Sequence, residues 1–106
     1  MIAYKLMKLR KDGTLGPLFI NSSMRIPVGE WLEAEDHKTK GFAHRPGWHC
    51  CFEPNAPHIK KEPKSGENRV WCKVQIKGKT RKYDRPESQG GAWVLANNMR
   101  VLEIIG

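Results

Sequence analysis

The chain has 106 residues, and 19 lysines and arginines against 11 aspartates and glutamates give it a formal net charge of +8. This length suffices for one domain and excludes two domains that each bury enough surface to fold alone. A hydrophobic content of 39%, to which ten glycines add, is close to the globular average and excludes a disordered chain. The excess of positive charge predicts attraction to polyanions, so we expect nucleic acid, a nucleoprotein or an acidic protein surface as the partner.

The first residues and the cysteines indicate the compartment. The start, MIAYKLMKLR, carries charges where a secretory signal needs an unbroken apolar stretch. No apolar run approaches the roughly 18 to 20 residues of a membrane-spanning helix. The three cysteines Cys50, Cys51 and Cys72 include an adjacent pair, which is a poor disulfide framework. We therefore expect reduced thiols in a soluble cytoplasmic protein that has no membrane partner.

The chain begins with a predicted hairpin. Residues 2–9, IAYKLMKL, alternate in polarity and predict a half-buried strand. One face of this strand carries Ile2, Tyr4 and Leu6, and Lys5 points the other way. The following KDGTLGP is typical of a turn, because its Asp-Gly pair supplies a position for positive φ and its proline a further bend.

Two further short strands are predicted in the first half of the chain. The apolar run Leu18–Ile20 is predicted to complete the hairpin. Residues 30–34, EWLEA, are predicted to form a strand, although EWLEAED by itself has the length of one or two helical turns. A loop is expected over 37–47, followed by a strand in WHCCFE at 48–53.

The clearest element is RVWCKVQIKG at 69–78, which predicts a strand with one apolar and one aromatic-basic face. The first face carries Val70, Cys72, Val74 and Ile76, and the second carries Trp71, Lys73, Gln75 and Lys77. Polar, Gly- and Pro-containing sequence predicts exposed loops on either side of it, at 60–69 and 79–91. The last segment predicts a short apolar stretch, a turn at Asn97-Asn98 and a terminal strand near 99–105.

These elements predict the fold class. Five or six short strands with little helical periodicity indicate one β-rich α+β domain spanning residues 1–106. We expect a small curled sheet or partly open barrel with at most one or two short helices.

The segment around Trp48 contains most of the histidines and cysteines and allows three interpretations. A zinc site would have to gather His44, His49, Cys50 and Cys72 by folding, because adjacent cysteines on a strand point to opposite faces and lack the spacing of zinc knuckles. A thiol nucleophile at Cys50 or Cys51, with His49 as base and Glu53 to orient it, meets the same difficulty. The third interpretation, which we favour, is a packed turn in which Trp48 or Phe52 fills core and His49 bonds to loop backbone. We expect no metal, no cofactor and no catalytic residue.

Basic residues interleaved with aromatic rings form the predicted partner-binding surface. Such a composition suits phosphate contacts and the stacking of bases. A competing interpretation is that the second face of the 69–78 strand is covered and that Trp71 belongs to the core. The predicted binding residues are Lys60, Lys61 and Lys64 in the first loop, Trp71, Lys73 and Lys77 on the strand, and Lys79, Arg81, Lys82, Tyr83 and Arg85 in the second loop.

Several stretches together resemble a group of short phage- and prophage-encoded proteins. They are GPLFIN (16–21), IPVGEWLEAED (26–36), KGFAHRPGWH (40–49), RVWCKV (69–74), RPESQGG (85–91) and WVLANNMRVLE (93–103). The resemblance implies a viral or prophage origin and a place of action in a bacterial cytoplasm. Small basic proteins of this kind often act on host nucleic-acid machinery or defence complexes, so the resemblance implies a binding protein and possible inhibitor of such a complex.

A second resemblance concerns two fragments. An opening strand like YKLMKLR, followed later by Gly47-Trp48-His49, is similar to the start of ADP-ribosyltransferase-type domains. This similarity implies a nucleotide-binding enzyme or an inactive relative of one, with His49 near the nicotinamide ribose.

Overall fold

The computed structural model describes residues 1–18, 24–34, 47–54, 68–84, 86, 88 and 91–106. They contain six strands and no α-helix: β1 (Ile2–Leu9), β2 (Leu15–Gly16), β3 (Trp31–Glu33), β4 (Trp48–Cys51), β5 (Asn68–Tyr83) and β6 (Trp93–Ile104). Within these ranges, nothing helical has the length and apolar character needed to cross a membrane. The loops predicted at 37–46 and 60–67 lie outside the described residues.

Four of the strands close into a barrel. β1 pairs with β5 and with β4, and β6 pairs with the same two strands, all antiparallel. β2 pairs with the end of β1, and β3 pairs with the middle of β6. The predicted β-rich fold, a small curled sheet or barrel with few helices, is confirmed.

The core fills the inside of this barrel. Its side chains leave water almost completely, and each contributes roughly 1.5 to 3 kcal/mol of stabilisation before entropy is counted. Cys72 is among them, as predicted from the alternation of its strand. The largest fully buried side chains are Met7, Cys50, Cys72, Val74, Ile76, Met99 and Val101.

The alternation of β5 is confirmed, but this strand is longer than predicted. Its inward residues Cys72, Val74 and Ile76 are buried, whereas its outward neighbours keep contact with solvent. β5 continues to Tyr83, so the prediction of a loop beginning at 79 is wrong. The residues from 80 to 83 pair with β6, and this pairing holds the basic segment in a strand in spite of its polarity.

A bulge interrupts the pairing of β5 and β6, and we call it the corner because bulges bend strands and increase their twist. Gly78 has φ of +81°, a left-handed conformation that favours glycine, and a Cβ there would lie 2.9 Å from Nδ2 at the end of the Asn98 side chain. The register of β5 shifts between Lys77 and Thr80. The predicted turn at Asn97-Asn98 is wrong: both residues lie within a continuous β6, opposite this bulge.

β1 buries the face opposite to the predicted one. Ala3 and Met7 are fully buried in the core, whereas Ile2 is 43% exposed. Leu6 is also buried but packs outside the core cluster. Both faces of this strand carry apolar residues, so its period alone did not identify the inner face, and the narrow barrel accepts the smaller Ala3 next to Val74.

The second strand of the hairpin lies earlier in the chain than predicted. β1 pairs with Leu15–Gly16, and Leu18 lies outside any strand, while residues 19 and 20 are beyond the described ranges. The predicted turn is confirmed: Gly13 has φ of +87° and its N–H donates to the Arg10 carbonyl at 2.9 Å. Asp12 accepts hydrogen bonds from Thr14, which tightens this turn and shortens the loop.

Candidate nucleic-acid interface

Three aromatic rings stack across three neighbouring strands on the outer face of the barrel. The ring of Trp93 on β6 lies 4.9 Å, between centroids, from that of His49 on β4 and also 4.9 Å from that of Tyr83 on β5. The interplanar angles of 28° and 23° describe stacked pairs. We call His49, Trp93 and Tyr83 the aromatic ladder.

The strand register explains why these rings meet. Tyr83 is the direct cross-strand partner of Trp93, and His49 pairs with Leu95 two residues further along β6. All three side chains therefore leave the sheet on the same side. His49 is exposed and the other two rings are half-buried, so the aromatic ladder forms part of the molecular surface.

One described cation lies beside the aromatic ladder. Arg81 is exposed, and its Nη1 donates to Tyr83 Oη at 3.4 Å. Lys82 is also exposed, but it lies opposite the core residue Val94, so it leaves β5 on the other face. Neither makes an ion pair with a carboxylate of the described chain. An ion pair joins Arg25 to Asp12 at 2.9 Å, in the hairpin turn and away from the aromatic ladder.

A second aromatic-basic cluster lies beyond the corner on the same hairpin. Lys77 Nζ is 4.0 Å from the ring centroid of Trp31, and Arg100 Cζ is 4.9 Å from it. Arg100 Nη2 donates to Gln75 Oε1, whereas Arg100 Nε is buried without a hydrogen-bond partner among the described residues. We call Trp31, Lys77 and Arg100 the cation-indole cluster.

The barrel has a seam between β1 and β4, where Tyr4 and Cys51 form the one strand pair between the described residues of these two strands. Lys5 spans this seam, because its Nζ donates to the carbonyl oxygen of His49 at 2.8 Å. Burial lowers the pKa of Lys5 from its ordinary 10.5, and the nearby cysteines act in the opposite direction when ionised. The ammonium therefore supports the strand that carries His49 into the aromatic ladder.

The two inward thiols belong to the core. Burial raises the pKa of Cys50 and of Cys72 to about 11, and Lys5 partly opposes the effect on both. Both thiols are free and neutral at physiological pH, which suits packing and does not suit nucleophilic attack.

The expected burial of His49 in a packed turn is wrong, since its ring is exposed and stacks on Trp93. The predicted core position of Trp48 is confirmed, with Phe52 packed against the same cluster. His49 leaves β4 on the face opposite to Cys50, so the structure does not gather these two as zinc ligands. His44 is not among the described residues, and in the part that is described no three potential ligands cluster.

The predicted stripe on β5 does face outward. Trp71, Lys73 and Lys77 alternate with the buried residues, so the competing interpretation of Trp71 as a core residue is wrong. Lys73 lies directly opposite Glu103 on β6, and this neighbouring carboxylate reduces its local potential.

The remaining predicted binding residues have different outcomes. Arg81, Lys82 and Tyr83 lie on β5 instead of a loop, and Lys79 is within the same strand, where its side chain is not described. The prediction for the others stays untested because Lys60, Lys61, Lys64 and Arg85 fall outside the described ranges.

Three residues of these clusters escaped the sequence analysis. Trp31, Trp93 and Arg100 each lie on a strand that pairs with β5 or β6, and none stands beside a run of basic residues. The positions of the tryptophans could have indicated them, because Trp31 and Trp93 are the first residues of their strands and lie on faces that are otherwise polar or mixed.

Comparison of the chain with protein-family models, with curated protein sequences and with solved structures finds no match. The functional argument therefore depends on the geometry of these surfaces.

Proposed function

We propose that this protein binds nucleic acid through the outer face of β4, β5 and β6, and that bases pack on the aromatic ladder. The observation that carries the proposal is the stack of His49, Trp93 and Tyr83 beside the exposed cation Arg81. Aromatic rings offer any base a π surface, and neighbouring cations bind the phosphates that accompany it.

The chemistry of this surface favours nucleic acid over other polyanions. An acidic protein or a simple anion needs cations and gains little from three stacked rings at the surface. A nucleic acid uses both, because each nucleotide combines a flat base with one negative charge. The net charge of +8 adds long-range attraction, which raises the rate of encounter.

The resemblance to phage-encoded proteins supports a bacterial host as the place of action. In that setting the target would be nucleic acid of the host or phage, held in a nucleic-acid-processing or defence complex. Binding there would hinder the complex, which is the inhibitory role implied by the resemblance. To test this, the tagged protein is purified from infected cells and one half of the sample is treated with nuclease. Host proteins that are lost only from the treated half are held through nucleic acid.

The direct test is fluorescence anisotropy with labelled oligonucleotides of about 20 nucleotides, a length that exceeds the site of a typical small barrel. Single-stranded DNA, single-stranded RNA, duplex DNA and polyglutamate are titrated at several salt concentrations. We expect binding to nucleic acid with a negative slope of log affinity against log salt, of about 0.7 for each phosphate neutralised on a single strand. Equal affinity for polyglutamate, or no binding to any oligonucleotide, would contradict the proposal.

A pair of tryptophan variants tests the aromatic ladder itself. Trp93→Ala removes the central ring that holds His49 and Tyr83 in one stack, and we expect single-strand affinity to fall about five- to 150-fold, since stacking contributes about 1 to 3 kcal/mol per base. Trp71→Ala removes an outward tryptophan on the same face of β5 that lies in neither cluster, and we expect it to lower affinity much less than Trp93→Ala does. Circular dichroism verifies the fold of both. If both variants bind as the unaltered protein does, the aromatic ladder is not the binding surface.

A further inference from the structure

We infer that Trp31, Lys77 and Arg100 form a phosphate-binding subsite for the backbone of the same unpaired strand whose bases pack on the aromatic ladder. This inference rests on the proposed function and assigns a second, chemically different point of attachment. Here the indole holds two cations in place, and the cations bind the ligand.

The first argument is the charge balance of the cation-indole cluster. Because Lys77 and Arg100 both contact one indole ring, their charges lie no more than about 9 Å apart. Neither makes an ion pair with a described carboxylate. On the strand register Glu33 lies opposite Asn98, which places it two strands, about 9.5 Å, from Lys77 and diagonally about 7 to 8 Å from Arg100, with no ion pair to either. An anion between the two cations would relieve their mutual repulsion.

The second argument is preorganisation. Cation-π contacts restrict both long side chains, so less conformational entropy is lost when they bind an anion. The hydrogen bond to Gln75 orients the guanidinium further, and a guanidinium suits phosphate because its planar N–H donors match two oxygens.

The third argument separates the roles of the two clusters. In the cation-indole cluster an ammonium and a guanidinium lie over the Trp31 ring, so its surface is charged and suits phosphate oxygens. In the aromatic ladder His49 and Tyr83 flank Trp93 and cover both of its faces, so the outer faces of these two terminal rings are the π surface offered to bases. In both clusters the middle residue lies on β6 and one outer residue lies on β5. The third residue lies on β3 in the cation-indole cluster and on β4 in the aromatic ladder.

The geometry of the hairpin selects an unpaired strand. Trp93 and Arg100 are seven residues apart on β6, about 23 Å at the usual rise of a strand, and the corner at Gly78 bends the path between them. A stacked single strand rises about 3.4 Å per nucleotide, so about seven nucleotides cover this distance, and fewer do so when the strand is stretched. A duplex conceals its bases and resists bending, because its persistence length is about 50 nm.

The test compares two lysine variants on a single-stranded oligonucleotide of about 12 nucleotides, long enough to reach both clusters. Lys77→Ala removes an exposed cation of the cluster, and Lys11→Ala removes one in the turn between β1 and β2, so the loss of net charge is matched. We expect Lys77→Ala to weaken binding about three- to ten-fold at low salt and to reduce the salt slope by about 0.7, with both restored in Lys77→Arg. Lys11→Ala is expected to leave the slope unchanged.

The outcomes distinguish this inference from the proposed function. If Lys77→Ala behaves as Lys11→Ala does while Trp93→Ala still weakens binding, the phosphate subsite is wrong and the proposed function stands. If the unaltered protein binds no oligonucleotide, the proposed function fails and this inference fails with it. Arg100→Gln provides a second variant, expected to reduce the slope as Lys77→Ala does, and a duplex of equal length should show no such difference between the lysine variants.

Discussion

The two faces of β4 differ more than their sequence suggests. His49 and Cys50 are neighbours in the chain, yet the imidazole is exposed and stacks on Trp93 while the thiol is 1% exposed and packs in the core. Around these two residues the outer face of the barrel is aromatic and cationic. The inner face carries neutral thiols on β4 and β5 and, on β1, the lysine that spans the seam. Residues that look like one chemical cluster in the sequence therefore serve two separate purposes, stability inside and binding outside.

The same contrast extends across the barrel. On the inside, Lys5 pairs with Cys72 and lies next to the position of Cys50. On the outside, Tyr83 pairs with Trp93. A change inside should alter the free energy of unfolding and leave affinity nearly constant, and a change outside should do the reverse.

The largest effect is expected from the core. Met99→Ala leaves a cavity at a fully buried position, and we expect it to lower the free energy of unfolding by about 2 to 5 kcal/mol in urea titrations. Leu102→Ala, on the same strand at a position that is 36% exposed, is the control and should cost less than about 1 kcal/mol. Oligonucleotide affinity of the folded Met99→Ala protein should stay unchanged. A large loss of affinity without unfolding would contradict the separation of the two faces.

The adjacent thiols Cys50 and Cys51 of β4 allow the inner and outer faces to be compared directly by their reactivity. Raising a thiol pKa from 9.0 to about 11 lowers its thiolate fraction about 100-fold near pH 8, and burial slows attack further. We expect the half-buried Cys51 to react first with an aromatic disulfide reagent, and Cys50 and Cys72 at least about 100-fold more slowly. In concentrated urea all three should react at similar rates. A single rate for three thiols in the native protein would show that the inner face is open to solvent.

The smallest effect is expected at the seam. Burial lowers the folded-state pKa of Lys5 below 10.5, so between the two pKa values the unfolded chain holds a proton that the folded chain lacks. Below the folded-state pKa the buried ammonium therefore lowers the free energy of unfolding by its full amount. This loss of stability disappears as pH rises towards 10.5. Lys5→Met lacks this dependence.

The measurement is the free energy of unfolding of both proteins from pH 7 to 10.5. As pH rises, the free energy of unfolding of the unaltered protein should increase relative to that of Lys5→Met. Ionisation of Cys50 and Cys72 has the opposite effect and lowers the free energy of unfolding as pH rises from 9.0 through about 11. Both proteins contain these thiols, so their contribution cancels in the comparison. A difference independent of pH would place the Lys5 ammonium in solvent.

Much of the fold could be predicted because its strands carry clear local signals. The alternation of β5 from Val70 to Ile76 placed the apolar face correctly. β1 was predicted as a strand but not in its orientation, since apolar residues lie on both of its faces. The end of β5 was missed because Thr80 to Tyr83 are polar, and only pairing with β6 makes this segment a strand.

The site was less predictable than the fold. Basic residues are visible in the sequence, so Lys77, Arg81 and Lys82 were predicted to bind a partner. The rings that accompany them come from strands far away in the chain, such as His49, which lies 44 residues before Trp93. No local pattern links these residues, because their proximity depends on the register of β4 against β6.

The amino-acid sequence by itself determined that this chain is basic and rich in strands, because charge follows from composition and the alternation of apolar and polar residues is a local property of each segment. Only the tertiary structure decided which residues share a surface. Closure of the barrel sets the strand register, and the corner at Gly78 bends β5 and β6 together, so the pairing of distant strands gathers His49, Trp93 and Tyr83 in one stack and Trp31, Lys77 and Arg100 in another.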